Sequence, residues 1–413
     1  MTKRLILAFV FLSWHLVACS NGDSGISSGL PDKPSAEEDS PGTETISEEM
    51  RVKITGEDLY ISAKLDAKTD ILYWFKKCMF NELFTFYRVG TIDNNMPTPA
   101  TLPDASPTSL LNLAYSDNIT GYGWCGGNHP YLDEVTQTAR NIGYRIYIDG
   151  KEIKTDLSTL TKEIKIEVIN EIMNPSKADT SSGKTLLNEI LCIETVNYSI
   201  YRNNIQVLVT HEFQNESPVT VQMYYGMQSM FDKETHTLTA NGKYVDWTVQ
   251  KDVSTFTKKE YPSFRRFIEK SANAYQSSYL FADGLGNHEE ISDDDIIFIG
   301  NSSNKTYHKI IADREHKKGD IIHWSGVYTW FKSPVSDDDD LLCYEGVIDN
   351  KKVLFIDCKK SVDRTIQLPV DYTKKSFTII EKSKSITITG NKVTAKGLRI
   401  VSDGSGSCVI TFD

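Results

Sequence analysis

After its first fifty residues, the chain is dominated by short runs of branched and aromatic residues and by alternation of apolar with polar positions. Ile164, Ile166 and Val168 alternate with charged residues, which predicts a strand with one buried face. Asp149-Gly150 follows a similar run and predicts a tight hairpin. Further predicted strands are residues 59–65, 71–75, 84–89, 196–201, 205–213, 219–225 and 244–249.

Helical periodicity is rare. Residues 263–274 place aromatic and aliphatic side chains on one face behind a serine cap, which predicts a helix, and residues 184–190 predict a short one. An acidic run at 335–340 predicts a linker. We therefore expect a mostly β protein, with a large β-sandwich or supersandwich domain at 50–335 and a small C-terminal β-sandwich domain at 341–413.

The N-terminus has the features of an export signal. Lys3-Arg4 precedes an apolar run that is shorter than the roughly 20 residues of a membrane span. Leu16-Val17-Ala18-Cys19 resembles the lipobox of bacterial lipoproteins. The resemblance implies a signal peptide at 1–18 and lipidation of Cys19 with fatty acyl chains such as palmitate; the alternative is an ordinary signal peptide with an incidental cysteine.

The residues after Cys19 predict where the chain resides. Ser20, rather than Asp, resembles the pattern that permits delivery to the outer membrane. Residues 19–49 are rich in Ser, Gly, Pro and acidic residues, so we expect a lipidated, disordered tether. The predicted location is the bacterial cell envelope, with the lipid anchor as the only membrane contact.

Composition excludes several classes of function. The 413 residues carry a formal net charge of −11, which argues against a nucleic-acid partner. The sequence lacks a P-loop, a dinucleotide fingerprint, H-E-x-x-H and C-x-x-C, so we predict no cofactor and no metal site. Cys343 and Cys358 flank a predicted turn and could form a disulfide across a hairpin; buried free thiols are the alternative.

The first candidate site is the segment 121–131, Gly-Tyr-Gly-Trp-Cys-Gly-Gly-Asn-His-Pro-Tyr. Its glycines permit close approach of the backbone to a ligand. Trp124 and Tyr131 offer flat rings for a sugar, and Asn128 and His129 offer polar groups. The alternative is a packed connection in which Trp124 fills the core.

The second candidate site surrounds His211, which shares a strand face with Val207 and Val209. The next strand presents Gln222 and Tyr224. A hydrogen-bonded core histidine is the alternative. A third aromatic cluster lies at 321–330, where Trp324, Tyr328 and Trp330 share one side of a strand and form either a stacking row or part of the core.

The strands Val-Thr-His-Glu-Phe and Val-Thr-Val-Gln-Met-Tyr-Tyr-Gly, with the turn Asn128-His129-Pro130-Tyr131, resemble galactose-mutarotase-like proteins over residues 53–332. The resemblance implies a supersandwich and a sugar ligand. The aldose epimerases of this kind use two histidines and a glutamate, but their His-Gly-Gly motif is absent and no catalytic glutamate can be placed. Polysaccharide lyases with the same sandwich use Asn, His, Tyr and Arg. Their large N-terminal helical toroid is missing from this sequence.

Three functions follow as hypotheses. The first is an envelope lipoprotein that binds or helps to process a glycan. The second is a glycan lyase or epimerase, in which His129 or Tyr224 abstracts a proton and Asn128 or Arg202 stabilises the developing charge. The third is a structural or adhesive envelope protein without a small ligand.

Overall fold

The computed structural model describes residues 46–78, 80–100, 116–119, 123–230, 236–239, 242–246, 254–256, 266–271, 274–281, 297–300 and 305–413. These residues are almost entirely β, in antiparallel sheets, which confirms the predicted fold class. In the described part of the chain, single-turn 3-10 helices occur at Pro175–Lys177 and Val370–Tyr372. No helix in the described ranges is long and apolar enough to cross a membrane. The predicted signal peptide, Cys19 and most of the tether lie outside the described residues.

The strands of the N-terminal half are β1 Met50–Thr55, β2 Asp58–Lys64, β3 Thr69–Cys78, β4 Leu83–Asp93, β5 Ser116–Ile119, β6 Gly123–Cys125, β7 Ala139–Ile148, β8 Lys151–Ile153, β9 Leu157–Thr161, β10 Ile164–Met173, β11 Ile190–Tyr201, β12 Asn204–Phe213 and β13 Val219–Met230. The following strands are β14 His236–Leu238, β15 Tyr244–Asp246, β16 Ser254–Phe256, β17 Arg266–Lys270, β18 Tyr275–Leu280, β19 Ile297–Gly300, β20 Lys305–His316 and β21 Ile321–Phe331. The C-terminal strands are β22 Ser336–Asp337, β23 Leu341–Ile348, β24 Lys351–Cys358, β25 Val362–Ile366, β26 Phe377–Lys382, β27 Ile386–Ile388, β28 Leu398–Ser402 and β29 Gly406–Phe412.

The largest sheet has ten strands in the order β15-β14-β17-β18-β21-β12-β11-β10-β7-β8. Its antiparallel register aligns side chains of the same face in rows across neighbouring strands. One such row consists of Val168, Val196, Val209 and Trp324, all of them buried. We call this side of the sheet the inner face, because it carries the main apolar core.

Two further sheets supply the rest of that core. One has the order β4-β3-β2-β1-β9 and the other β16-β19-β20-β13-β5-β6. Buried residues of both, such as Ile61, Tyr73 and Val221, belong to the same apolar cluster as Ile166 and Trp330 of the large sheet. The arrangement is a sandwich in which the inner face of the large sheet is covered by the two smaller sheets.

The C-terminal strands form a five-stranded sheet, β22-β23-β24-β29-β26, and a three-stranded sheet, β25-β28-β27. They share a small core, and the five-stranded sheet also packs on the outer face of the large sheet, where Tyr344 and Phe355 join Tyr279 and Val327 in one apolar cluster. Residues Glu44–Asp413 form one compact unit. A separate domain at 341–413 stays a prediction.

The predicted helix at 263–274 is wrong where the structure describes it, because Arg266–Lys270 is strand β17. Both faces of this strand are covered: Phe267 faces the main core, and Ile268 faces the C-terminal sheet. A strand that is buried on both faces has no polar alternation, so its apolar residues mimicked helical spacing. The predicted helix at 184–190 is likewise absent; this segment is irregular until β11 begins at Ile190.

The hairpin predicted around residues 348–351 is present, because β23 and β24 pair with Ile348 opposite Lys351. Its register does not join the two cysteines. Cys343 lies opposite Ile356, and Cys358 lies opposite Leu341. Both are buried free thiols, so the predicted disulfide is not formed in the structure. The two-residue offset that separates them depends on the tight turn, in which Asp349 and Asn350 both have positive φ.

Candidate functional site

A row of four polar side chains interrupts the apolar inner face near one end of the large sheet. Asn141, Asn170, Glu194 and His211 lie opposite one another on β7, β10, β11 and β12. The Asn141 amide donates to Asn170 Oδ1 at 2.9 Å, and Asn170 Nδ2 donates to Glu194 Oε1 at 2.7 Å. His211 Nε2 lies 3.4 Å from Glu194 Oε2. The row therefore holds one carboxyl group between an amide and an imidazole.

Burial makes this row energetically significant. Asn170, Glu194 and His211 each expose only 2% of their surface. A buried polar group must be paired to offset the loss of its hydration, and each member of the row supplies a partner to the next. Such a network fixes the orientation of the Glu194 carboxyl group, which is a requirement for either ligand recognition or proton transfer.

Two aromatic side chains support the row from β13 and β21. Trp324 Nε1 donates to the Tyr224 hydroxyl at 2.5 Å. The Tyr224 ring packs edge-on against His211, with ring centroids 5.0 Å apart. Tyr224 is fully buried, so the structure places this predicted catalytic residue behind the imidazole rather than on an open surface.

A partly open cavity of about 70 Å³ lies over this part of the inner face. Glu194 is the only carboxyl group among its described lining residues, and Asn170 lies beside it. The remaining described lining residues are largely apolar or aromatic: Cys78, Leu83, Phe84, Thr85, Gly127, Val196, Tyr198, Val207, Val209, Met227, Gln228, Trp324 and Tyr328. An apolar cavity with a few convergent polar groups is the usual form of a small-molecule site.

The tyrosine phenols and the cysteine thiol of the cavity wall stay neutral at ordinary pH. Burial raises the pKa of the Tyr198 and Tyr328 phenols well above the usual value, so both remain hydrogen-bond donors. Burial also raises the pKa of the Cys78 thiol to about 11. No lysine or arginine is among the described lining residues, so the wall offers no positive charge to an anionic ligand.

An irregularity in β13 forms part of the cavity wall. The pairing of β13 with β20 shifts register between Gly226 and Ser229, and Met227 has a φ of 52°, in the left-handed region that non-glycine residues avoid. The bulge turns the Gln228 carbonyl toward Tyr328, whose hydroxyl donates to it at 3.0 Å. Strained backbone of this kind is concentrated at functional sites.

The loop that follows β6 forms another part of the rim. Asn81 Nδ2 donates to the carbonyl of Gly127 at 2.9 Å, and Asn81 Oδ1 accepts from the amide of Thr138 at the same distance. Gly127 reaches the cavity. The Trp124 ring stacks between those of His129 and Tyr225, with centroids 5.7 Å from each. The first candidate segment therefore borders the cavity through Gly127, with the Trp124–His129 stack beside it.

The remaining predicted residues, Asn128, Tyr131, Gln222 and Arg202, do not line the cavity. Asn128 is exposed and accepts a hydrogen bond from the amide of Phe80 at 2.7 Å, while Tyr131 and Gln222 are half-buried and are not among the lining residues. Arg202 lies at the β11–β12 turn. Arg202 is not among the described lining residues of the cavity. The structure therefore does not bring Arg202 to the cavity.

Glu194 and Asn170 were missed by the sequence analysis. Each is a polar residue at an inward position of a strand whose other inward residues are apolar, as in Cys192, Glu194, Val196 and Tyr198. Strand alternation alone identifies such a carboxyl group as inward-facing, and a buried carboxyl group requires a partner, which marks the position as a candidate site. Its partner His211 could be paired with it only after the register of β11 with β12 was known.

The comparisons with known proteins give structural likenesses alone. No family model matches the sequence, and no curated protein matches it. The GH36 α-galactosidase AgaB from Geobacillus stearothermophilus is similar over 67% of this chain and 40% of its own, with 9% identity and a TM-score of 0.37. The related α-galactosidase AgaA from the same organism is similar over 69% and 41%, with 10% identity and a TM-score of 0.34.

A protein assigned as an aldose 1-epimerase from Klebsiella pneumoniae is similar over 69% of this chain and 88% of its own, with 8% identity and a TM-score of 0.27. This chain spans about two fifths of the length of the two galactosidases. All these TM-scores lie below 0.5, so the likeness does not establish a shared function.

Proposed function

We propose that this chain is an envelope lipoprotein whose inner-face cavity binds a saccharide. The observation that carries the proposal is the cavity itself: a fixed carboxyl group and an amide at one wall, and aromatic side chains around them. Sugars match this mixture, because their hydroxyl groups bond to carboxylate and amide while their C–H faces pack on rings. The absence of lysine and arginine from the described lining residues favours a neutral sugar over an acidic one.

Glu194→Gln tests the binding function. Calorimetric titration with a panel of neutral mono- and oligosaccharides should detect binding to the parent protein, and the variant should bind roughly 10- to 100-fold more weakly, because a hydrogen bond to a charged group contributes about 1.5–3 kcal/mol. Glu212→Gln is the matched control, since Glu212 follows His211 on the same strand and is exposed. Equal affinity in the parent and in Glu194→Gln would show that the saccharide does not bind in this cavity.

The anchor is tested separately. Replacing the lipobox cysteine, Cys19→Ser, should leave the protein unprocessed or release it from membranes, because position 19 then has no thiol to carry an acyl group. The measurement is the distribution of the parent and the variant between membrane and soluble fractions, with the length of each chain determined by mass spectrometry. A processed variant that still sediments with membranes would contradict lipidation at this residue.

A second candidate function is proton transfer on the bound sugar, as in an epimerase. The specific observation is the contact between His211 Nε2 and Glu194 Oε2, because a carboxyl group that faces a cavity and is oriented by an imidazole can act as a general acid or base. In this scheme Glu194 exchanges the proton with the sugar, and His211 and Asn170 are positioning residues. The lyase alternative lacks support from the cavity, since Arg202 is not among the described lining residues and uronate carboxylates would find no cation among them.

Polarimetry of freshly dissolved neutral aldoses, together with deuterium incorporation from heavy water, tests this second function. Glu194→Gln should lower turnover by about 10²- to 10⁴-fold, the range of general acid–base catalysis, while weakening binding far less. Binding without turnover in the parent protein would leave the protein as a binding lipoprotein. Neither binding nor turnover with any sugar would favour a structural or adhesive role.

A further inference from the structure

The outer face of the sheet β4-β3-β2-β1-β9 carries a second set of aromatic side chains, away from the core. Lys53, Tyr60, Trp74 and Arg88 lie opposite one another on four adjacent strands. We call this set the aromatic row. Its members are half-buried, whereas the chain neighbours of Lys53, Tyr60 and Trp74 point inward and are buried. A register shift between β3 and β4 leaves Tyr87, next to Arg88, half-buried as well. At about 4.8 Å between strands, the row crosses roughly 14 Å of the sheet.

The rings of the row are fixed in place. Tyr60 and Trp74 stack with ring centroids 5.2 Å apart and an interplanar angle of 27°. The Trp74 indole N–H donates to Asp58 Oδ1 at 2.8 Å. Tyr87 then meets Trp74 edge-on at 5.0 Å. A ring that is anchored by its own hydrogen bond and by two ring contacts loses little freedom when a ligand packs on it.

Positive charge is concentrated on the same face. The Lys76 ammonium group lies 4.2 Å from the Trp74 ring centroid and 4.1 Å from that of Tyr87, and the Arg88 guanidinium lies 5.0 Å from Tyr87. Lys53 ends the row on β1. Around these rings Lys76 and Arg88 outnumber the Asp58 carboxylate, whereas the chain as a whole has a net charge of −11. This face is therefore a local reversal of the charge of the chain.

We propose that the aromatic row is a binding surface for an acidic polysaccharide. Sugar rings of the polymer pack along Tyr60 and Trp74, and its carboxylates pair with Lys76 and Arg88. An extended polymer fits a flat row across several strands better than it fits the cavity on the inner face. Anionic lipid is the less favoured partner, because the rings lie half-buried against the sheet and are held by hydrogen bonds and ring contacts rather than projecting toward a bilayer.

The test uses the mature chain and polygalacturonate as the probe, with dextran as the neutral polymer. Biolayer interferometry should show that polygalacturonate binds, that dextran does not compete for the surface, and that affinity falls as salt is raised. Lys76→Glu should weaken binding at least tenfold, and Trp74→Ala should do the same. Lys396→Glu, an equal change of charge at an exposed turn between β27 and β28, should leave affinity unchanged.

Thermal melting of each variant verifies that it is folded, and Lys76→Glu keeps the test decisive if Trp74→Ala unfolds. The proposal is overturned if polygalacturonate does not bind, or if folded Lys76→Glu binds it like the parent. Binding of phosphatidylglycerol vesicles alone, sensitive to Lys76→Glu, would assign the face to lipid and also overturn it. Glu194→Gln should not change polygalacturonate affinity, so failure of the cavity and failure of the aromatic row are distinguishable.

Discussion

The inner face of the large sheet gives two buried carboxyl groups different surroundings. Glu194 receives a hydrogen bond from Asn170 and lies beside His211 at the cavity wall. Glu269, on β17, accepts a hydrogen bond from the Thr306 hydroxyl at 3.1 Å and is 2% exposed. Burial raises the pKa of Glu269 to about 8, so this group is protonated in the folded protein near neutral pH.

Glu269 should make stability depend on pH. Its pKa in the folded protein, about 8, lies above the unfolded value of roughly 4.5, so its contribution to stability is fully present below pH 4.5 and is lost as pH rises through 8. Glu269→Gln keeps the shape of the side chain without the charge. The melting temperature of the variant minus that of the parent should therefore increase from pH 5 to pH 8.5.

Scanning calorimetry across this pH range measures the difference. Glu216→Gln, at an exposed position, is the matched control and should show melting temperatures that parallel those of the parent at every pH. Parallel curves for Glu269→Gln would contradict the assignment of a buried neutral carboxyl group at this position.

At the scale of single elements, the tight hairpins are the features that follow most directly from the sequence. Asp149-Gly150 predicts a two-residue turn, and the structure pairs Ile148 with Lys151 across it. Asp149 has a φ of 46° and Gly150 a φ of 78°, as the mirror-image turns of hairpins require. The β13 bulge at Met227 has no comparable signature in the sequence, because methionine has no preference for positive φ.

Gly150→Ala isolates the backbone contribution of the first hairpin. A Cβ at Gly150 would meet nothing within 4 Å, so its cost is the positive φ alone, about 1 kcal/mol of the free energy of unfolding. Gly143 on β7 is equally open but has no positive φ, so Gly143→Ala should be neutral or slightly stabilising. Urea denaturation of both variants measures the difference; equal effects would show that the turn conformation is not the cause.

At the scale of the whole molecule, the C-terminal strands cover the outer face of the large sheet. Besides the shared apolar cluster, an ion pair between Arg266 and Asp357 crosses this contact, and both side chains are almost completely buried. The Ser277 and Tyr344 hydroxyls lie 2.6 Å apart across the same contact. These polar groups require a matching partner surface, which favours one way of docking the two layers.

Asp357→Ala should destabilise the protein by about 3–5 kcal/mol, because it leaves the Arg266 guanidinium buried without its carboxylate. The double variant Arg266→Met with Asp357→Leu should lose much less stability, since neither charge remains buried. Denaturation midpoints of the parent, Arg266→Met, Asp357→Leu and the double variant complete a mutant cycle. A double variant that is as unstable as the sum of its singles would show that the two charges do not interact.

The sequence by itself determined the class of the fold and much of its local structure. Alternation predicted β10, and turn residues predicted the hairpins that join β7 to β8 and β23 to β24. These features are set by interactions between residues close in sequence, so a single chain contains the information. The third aromatic cluster also followed from spacing: Trp324, Tyr328 and Trp330 share the inner face and are buried there.

The tertiary structure decided the features that depend on contacts between distant residues. Strand β17 is buried on both faces, and only its two covering layers distinguish it from a helix. Glu194 and His211 are seventeen residues apart in the chain, and they meet because the register of β11 with β12 places them opposite each other. The cavity above them is bounded by strands from all three sheets of the sandwich. Such a site exists only after the chain has folded, because no local rule relates the residues that form it.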